Sequence, residues 1–374
     1  MRGDERQQAE IFSVVTLEQR VPLDHPLREI RRLTDTVLVS LNVEFDRLYA
    51  ASGRPSIAPE YVLRALLLQA FYSVHSERQL VEQIDYNLLF RWFVGLGMDD
   101  AVWNHAVFSH PNMPACWGPR SKNRDRLLNS EVAQRFFAEV NRLATPFMSE
   151  EHFTVDGTLI QAWASQKSFR PKDGSDDDGT NFHGQKRLNR THESTTDPDA
   201  RLYKKSYGTE SKLSYLGHAL VENRNGLIAA AMATTADGHA ERDAALLMLH
   251  EQQKRRSKRI TVGADKAYDV REFIATAREL NVTVHVAQNN NGRRSNIDRR
   301  TTRHTGYAHS LSRRWLVEKT FGWLKQTGPL RQVKLRGLVK VDWIFVFSCA
   351  AHNLLRLPRL IASQPLQGPQ PNCA

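Results

Sequence analysis

Two apolar runs in the second half of this chain each end in an aspartate, and that pairing narrows the folds open to it. Phe153-Thr154-Val155 leads into Asp156-Gly157-Thr158, and Ile260-Thr261-Val262-Gly263-Ala264 leads into Asp265-Lys266-Ala267-Tyr268-Asp269. Short apolar runs bounded by turn residues read as buried strands. A third acid, Glu318, lies in the helical pattern Arg314-Trp315-Leu316-Val317-Glu318-Lys319-Thr320-Phe321-Gly322-Trp323-Leu324-Lys325. Hard divalent cations take oxygen ligands. Two strand-end aspartates and a helical glutamate are therefore a candidate site for two divalent ions, an arrangement that promotes in-line attack on a phosphodiester. Singly, each acid is weak evidence. An Asp after a strand is usually a turn residue, and a Glu on a helix is usually solvated.

Charge placement points the same way. The 374-residue chain has a net charge of +11. Residues 291–340 carry 13 Lys/Arg and 2 Asp/Glu, so the stretch around Glu318 holds the whole surplus. A local basic excess implies a polyanionic partner. Cys116, Cys349 and Cys373 have no spacing of a disulfide framework or zinc module, and imply a reducing compartment. Met1-Arg2-Gly3-Asp4-Glu5-Arg6 lacks the apolar core of a signal peptide. Apolar stretches such as Trp343 to Ala351 read as buried elements rather than membrane spans. These features predict a cytoplasmic, nucleoid-associated protein with no membrane partner.

The first part reads as helical. Leu27–Tyr49 follows Pro22 and Pro26, and Pro59 opens the next helix. Ser76-Glu77-Arg78-Gln79 is a capping box before a helix reaching Ile84. Leu88–Val94 and Ser130–Ala144 complete the set. Residues 110–121, with three prolines, read as an inserted loop. Such short helices suit a helix-turn-helix module and equally a plain bundle. Beyond residue 145 strands and helices alternate: 153–156, 159–164, then 216–222 and 227–232 joined through Asn225-Gly226, a hairpin signal. A helix over 240–253, a strand over 260–264, a helix over 270–280 and a strand over 282–287 follow. Residues 166–212 are polar and read as a flexible insertion.

The order strand, hairpin strands, helix, strand, helix, strand, helix is that of a ribonuclease-H-like domain. The expected fold is thus α/β: a ribonuclease-H-like catalytic domain over 146–360, preceded by an all-α region over 1–145 for DNA binding and dimerisation, with a disordered tail at 361–374. On the helix around Glu318, at about 100° per residue, Leu316, Val317, Thr320, Trp323 and Leu324 gather on one side. Glu318 points the other way, with Arg314 and Lys325 within about 40° of it. That face is either a solvated one with an Arg314–Glu318 ion pair, or a metal ligand flanked by cations that grip phosphates. Tyr215-Leu216-Gly217-His218 and Gly238-His239-Ala240-Glu241 lie near the expected active edge, where His218 is expected to pack within a strand. Trp103, Trp163, Trp315, Trp323 and Trp343 are expected in the core.

From about Pro59 to Leu360 the sequence resembles DDE transposases of bacterial insertion sequences, in the insertion-sequence-five family or its close relatives. The motifs are Val155-Asp156-Gly157-Thr158, Gly263-Ala264-Asp265-Lys266-Ala267-Tyr268-Asp269, and Arg314 with Glu318, Phe321-Gly322-Trp323 and Lys325. Where the family has a Tyr three residues before the Arg, this chain has Leu311, with Tyr307 a helical turn earlier. The resemblance implies Asp156, Asp265 and Glu318 as catalytic acids that hold Mg2+, with Mn2+ able to substitute. It implies DNA contacts from Arg314 and Lys325, to which the basic residues Arg293, Arg294 and Arg313 are added as candidates. The implied reaction cleaves transposon ends and joins them to target DNA, with terminal inverted repeats and target as duplex partners and a homodimer pairing two ends. A catalytically silent DNA-binding derivative and a nuclease of the same fold are the alternatives. Leu311 and the 110–121 segment motivate the first.

Overall fold

The computed structural model describes residues 15–49, 52, 56–105, 126–128, 131–173, 187–204, 208 and 210–363. The 110–121 segment, the middle of 166–212 and residues 364–374 lie outside the described residues. The described first part is helical: α1 (Leu17–Arg20), α2 (Pro26–Ser40), α3 (Asn42–Leu48), α4 (Pro59–Phe71), α5 (Glu77–Tyr86), α6 (Leu88–Val94) and α7 (Val132–Ala144). Pro26 and Pro59 each occupy a first helical turn, where a missing N–H removes no bond. The Ser76 hydroxyl accepts from Gln79 N–H at the head of α5, and Asn87 caps α6. The helix expected over Leu27–Tyr49 is broken at Leu41, which is buried, so that both Leu38 and Phe45 reach the core.

The second part holds strands β1 (His152–Ala162), β2 (Phe169–Pro171), β3 (His192–Ser194), β4 (Arg201–Tyr203), β5 (Lys212–Glu222), β6 (Ile228–Thr235), β7 (Ile260–Ala264), β8 (Val282–Val286) and β9 (Gln332–Val333). Its helices are α8 (Ala240–Lys254), α9 (Arg271–Glu279), α10 (Arg299–Arg303), α11 (Thr305–Arg313), α12 (Trp315–Gln326) and α13 (Leu338–Ala362). The long strands lie in the order β6-β5-β1-β7-β8. β6, β5 and β1 are antiparallel, and β1, β7 and β8 are parallel. This is the mixed sheet of a ribonuclease-H-like domain behind an all-α region, as expected. The two runs expected at 153–156 and 159–164 form one strand, because Gly157 and Thr158 stay paired with His218 and Gly217.

The segment 166–212 departs from the flexible reading. Among its described residues, β2 and β3 pair as a hairpin and β4 joins the start of β5. Its polar residues satisfy one another. Ser168 and Ser194 share a hydroxyl bond of 2.7 Å, Ser194 accepts from Asp197 N–H, and buried Asp197 accepts from the Tyr215 hydroxyl at 2.6 Å. Composition reports polarity, but not that polar groups find partners inside.

Helix α13 is the spine of the core. It packs on α7, β6, α2, α4, α12 and β5. By length and composition it could cross a membrane, yet 67% of its most apolar window is buried inside the protein. A Cβ at Gly217 would lie 2.5 Å from Phe345 of α13, so only glycine lets this helix approach β5 so closely. Buried Asn353 fixes the register: its amide donates to Ile228 O and Asn141 Oδ1, and its oxygen accepts from Ile228 N–H. Of the tryptophans expected in the core, Trp343 is fully buried, whereas Trp163 and Trp315 are each 48% exposed.

The β5–β6 hairpin turns at the predicted Asn-Gly, with Gly226 at φ +71°. Glu222, fully buried, accepts from the N–H groups of Ser149, Arg224, Asn225 and Leu227. Its removal orphans all four donors. Glu222→Ala should therefore lower the unfolding free energy by more than about 2 kcal/mol in urea denaturation, whereas exposed Glu251→Ala should change it by less than about 0.5 kcal/mol. His218 is buried in β5 as expected, and burial holds its pKa down to about 4. His352 is held down to about 3 by burial and then by Arg356. Neutral rings of this kind contribute stability above the ordinary value of 6.5 that is lost as pH falls toward the folded values. His352→Phe keeps a ring against Trp323, so its urea midpoint should drop less than the parent's between pH 6.5 and about 4.

Candidate active site

Strand pairing brings the two aspartates together. β1 pairs with β7 in parallel, ending at Thr154 opposite Gly263. Asp156 and Asp265 each lie two residues further on, so they occupy matching positions on neighbouring chains. Both are half-buried. Asp156 Oδ1 accepts from the Gly157 N–H at 2.8 Å. Asp265 continues the extended backbone of β7 and its Oδ1 accepts from Ala267 N–H at 2.6 Å, capping the short turn Lys266–Tyr268.

Alternation along the strands decides which face they use. Asp156 pairs with Ala219, and its neighbour two residues on, Thr158, pairs with Gly217, which faces α13. A Cβ at Gly263 would meet Thr154 Oγ1 at 3.3 Å and Ser310 of α11 at 3.5 Å. The face of Asp156 is therefore the one covered by α11, α12 and α13, and Asp265, two residues after Gly263, has the same parity. Helices α8 and α9 pack on the sheet from the other face, where a Cβ at Gly157 would meet Glu241 of α8.

Glu318 lies on the aspartates' face. α12 packs on β1 and β5. Its start lies by the β5–β6 turn, where Leu316 is 3.4 Å from a Gly226 Cβ, and the β9 that follows it pairs with Gln161 and Ala162. The helix thus runs alongside β1 from its beginning to its end. Trp323 packs against His352 of α13. Arg314, Glu318 and Lys325 are about 140–180° around the helix from Trp323, on the flank turned away from α13. Glu318 is exposed, and among the described residues no ion pair joins it to Arg314. The i,i+4 pair that the spacing allows is not made. Among the described residues no three His, Cys, Asp or Glu side chains are close enough together to hold a metal ion. The register sets Asp156 and Asp265 each two residues beyond the last paired residues of β1 and β7. Glu318 stays on the flank of α12.

The helix expected to run through Glu318 is interrupted at Arg314, the junction between α11 and α12. On α11 the Tyr307 hydroxyl donates to Val286 O at 3.0 Å, so this phenol is tied to the end of β8. Arg313 lies near the start of β1, where its charge, after burial and His309, helps to lower the pKa of His152. The Arg-rich loop is clamped. Asp269, fully buried, accepts from the N–H groups of Asn289 and Asn296, while Arg293 and the Asn296 amide donate to its carbonyl. Burial works to raise the Asp269 pKa, but bonds from Ser295, Asn289 and Asn296 outweigh it and hold it below the ordinary value. Arg294 remains exposed. Asp269 stood in the second motif without a role assigned to it. Its function as a loop anchor could not be read without knowing that residues 289–296 return to it.

Comparison with known proteins agrees with this layout. Residues 149–354 match the family described as Transposase DDE domain, and residues 15–111 match the family described as Transposase domain (DUF772). No curated protein matches. Among solved structures, one of a piggyBac transposase synaptic complex with hairpin DNA is 9% identical, covers 92% of this chain and 77% of its own, and has a TM-score of 0.44. A Mos1 transposase paired-end complex with left transposon end is 12% identical, covers 84% of this chain and 81% of its own, and has a TM-score of 0.20. Likeness at that level carries no weight for fold or function. The first family alone spans more than half the sequence, including the strands of both aspartates and the helix of Glu318: the chain belongs to the transposase DDE domain family.

Proposed function

We propose that this protein cleaves the ends of an insertion sequence and joins them to target DNA, and that it is of the insertion-sequence-five family or a close relative. The observation that carries this reading is the register that sets Asp156 within β1 and Asp265 just past the end of β7, each two residues beyond their last paired residues, on the face that bears the glutamate helix. The donor set fits hard divalent cations, since all three candidates are carboxylates. Asp156, Asp265 and Glu318 would hold Mg2+, or Mn2+ in its place. When bound, the cations supply Lewis-acid activation of the attacking oxygen and charge stabilisation at the leaving oxygen.

The chain's own residues do the remaining work. The half-buried aspartates keep their oxygens fixed by short backbone bonds, so their positions are set before substrate arrives. Glu318 is exposed on α12. Arg314 and Lys325 share its flank and grip the backbone of the transposon end. Arg294 and Arg313 add contacts, and Arg293 divides its role between the duplex and the Asp269 carbonyl. The helical region over 1–145 recognises terminal inverted repeats and pairs two copies of the chain, and 146–360 carries the chemistry. The protein acts in the cytoplasm at the nucleoid.

A silent DNA-binding derivative is the second reading. Leu311 supplies no phenol, and that of Tyr307 is held by Val286 O. A cleavage assay on end-containing duplex with Mg2+ or Mn2+ separates the two, and strand transfer into a plasmid separates a transposase from a nuclease. Alanine at Asp156, Asp265 or Glu318 should abolish metal-dependent strand cleavage and leave duplex binding intact. A triple variant that still nicks would show that other residues do the chemistry. Arg314→Ala should weaken duplex binding and flatten the slope of log K against log salt by about 0.9 for a single lost phosphate contact. An unchanged slope would remove Arg314 from the interface.

A further inference from the structure

Beside α11, on the side away from the two aspartates, lies a pocket of about 850 Å³ that the proposed chemistry does not use. Its floor is the sheet: His152 on β1, Thr261 on β7, and Thr283 and His285 on β8. Strand pairing and alternation put these four on the face of Asp156 and Asp265. Thr261 comes four residues before Asp265, about 13 Å back along the chain. Ser310 of α11 sits between them, against Gly263. Exposed Arg300, His304 and His309 form the rim, from α10, the junction that follows it and α11.

The hydrogen bonds fix the two floor imidazoles. Ser310 is fully buried, and its hydroxyl donates to Gly306 O at 3.0 Å. A hydroxyl has one proton to give. His152 Nε2 and His285 Nδ1, each 2.6 Å from the same oxygen, therefore donate to it. While these rings are neutral, His152 Nδ1 and His285 Nε2 carry no proton. His304 Nδ1 accepts from Gly306 N–H at 3.3 Å, which leaves its Nε2 as the donor. His309 stacks on His152 with centroids 5.7 Å apart.

The surroundings are positive. Residues 299–314 contain five arginines and no acid. Glu151 is the only acid among the described residues that line the pocket, and Lys258 pairs with it at 3.8 Å. Tyr307, edge-on to His285, donates its hydroxyl to Val286 O. Burial, then His309 and Arg313, lower the pKa of His152. Burial, then His152 and His304, hold that of His285 down to about 4. Such a ring of like charges is relieved by an anion between them. A metal ion fits poorly, since among the described residues no three His, Cys, Asp or Glu side chains are close enough together to hold one.

We infer that this pocket binds a phosphate group, either of a duplex DNA backbone or of free inorganic phosphate, with Arg300, His304 and His309 as donors at the rim. The anion favours the charged form of His152 and His285, which take up protons from solvent as it enters. Affinity therefore rises as pH falls. For the DNA source the inference rests on the proposed function, and the pocket then holds the duplex at a second point across α11 from the aspartates.

Two titrations of the full chain test this, with circular dichroism on each variant. In the first, inorganic phosphate is added while the imidazole resonances of isotope-labelled protein are followed against pH. In the second, duplex DNA binding is measured over a range of salt at about pH 8 and about pH 6. Arg300→Gln combined with His309→Gln changes exposed side chains alone. Duplex binding should weaken roughly 10-fold, the slope of log K against log salt should flatten by about 0.9, and the gain on lowering the pH should shrink. Phosphate should move the His285 midpoint up from about 4. Loss of duplex binding in the double variant assigns the DNA backbone, and a response to inorganic phosphate alone assigns the free anion. If phosphate moves neither His152 nor His285 and the double variant binds duplex like the parent, the pocket is no anion site. A slope flattened by Arg314→Ala but not by the double variant, with no response to phosphate, overturns the pocket and leaves the proposed function standing. A parent that binds no duplex overturns the proposed function, and the phosphate titration then decides the pocket.

Discussion

The parallel pairing of β1 with β7 is the constraint on which the placement of Asp156 and Asp265 depends. Thr154 opposite Gly263 sets the register, and Asp156 and Asp265 follow two residues later on both chains. A slip of one residue would send one aspartate to the opposite face of the sheet. The local packing resists that slip. The Thr154 hydroxyl donates to Asn223 Oδ1 at 2.8 Å, and a side chain at Gly263 would press on Thr154 and on Ser310 of α11. Beyond Ala264 the chain leaves the sheet, and β1 runs on until β9 joins it at Gln161. Between these two pairings lies the stretch of β1 that holds Asp156 and Gly157.

Around that stretch the two faces differ in kind. On one side α11, α12 and α13 bring an exposed carboxylate flanked by cations. On the other, α8 brings Glu241 across Gly157 and the turn after β7 buries the Tyr268 phenol. Asp156 lies in the middle of β1 while the chain as a whole is positive.

Much of this was legible in the sequence, and the residues show why. Ile260–Ala264 was readable as a strand to the residue because it is short, apolar and bounded by a charged segment and an aspartate. Asn225-Gly226 announced the β5–β6 hairpin, and Leu88–Val94 was legible as a helix whose ends, an Asn87 cap and Gly95 at positive φ, the structure supplies. The strands of the 166–212 segment were hidden because Ser168, Ser194 and Asp197 are buried polar residues that hold one another, a relation with no local periodicity. The break at Arg314 was invisible because both flanking segments are helical by pattern. Of the site itself, motif spacing gave the acids. It gave neither the partnership of Glu241 with Gly157, 84 positions apart in sequence, nor the anchoring of the Arg-rich loop on Asp269. Both depend on which helices the sheet brings back to one edge.

Crystals of the chain soaked in Mn2+, with anomalous diffraction measured at the manganese edge, test the convergence of the three acids most directly. If they form the catalytic centre, an anomalous peak lies within coordination range of Asp156 and Asp265, and the Glu318 side chain has swung from solvent toward it. A peak elsewhere with these carboxylates empty, or Glu318 still pointing into solvent with an ion bound to the aspartates alone in the presence of a cleaved transposon end, would contradict that assignment.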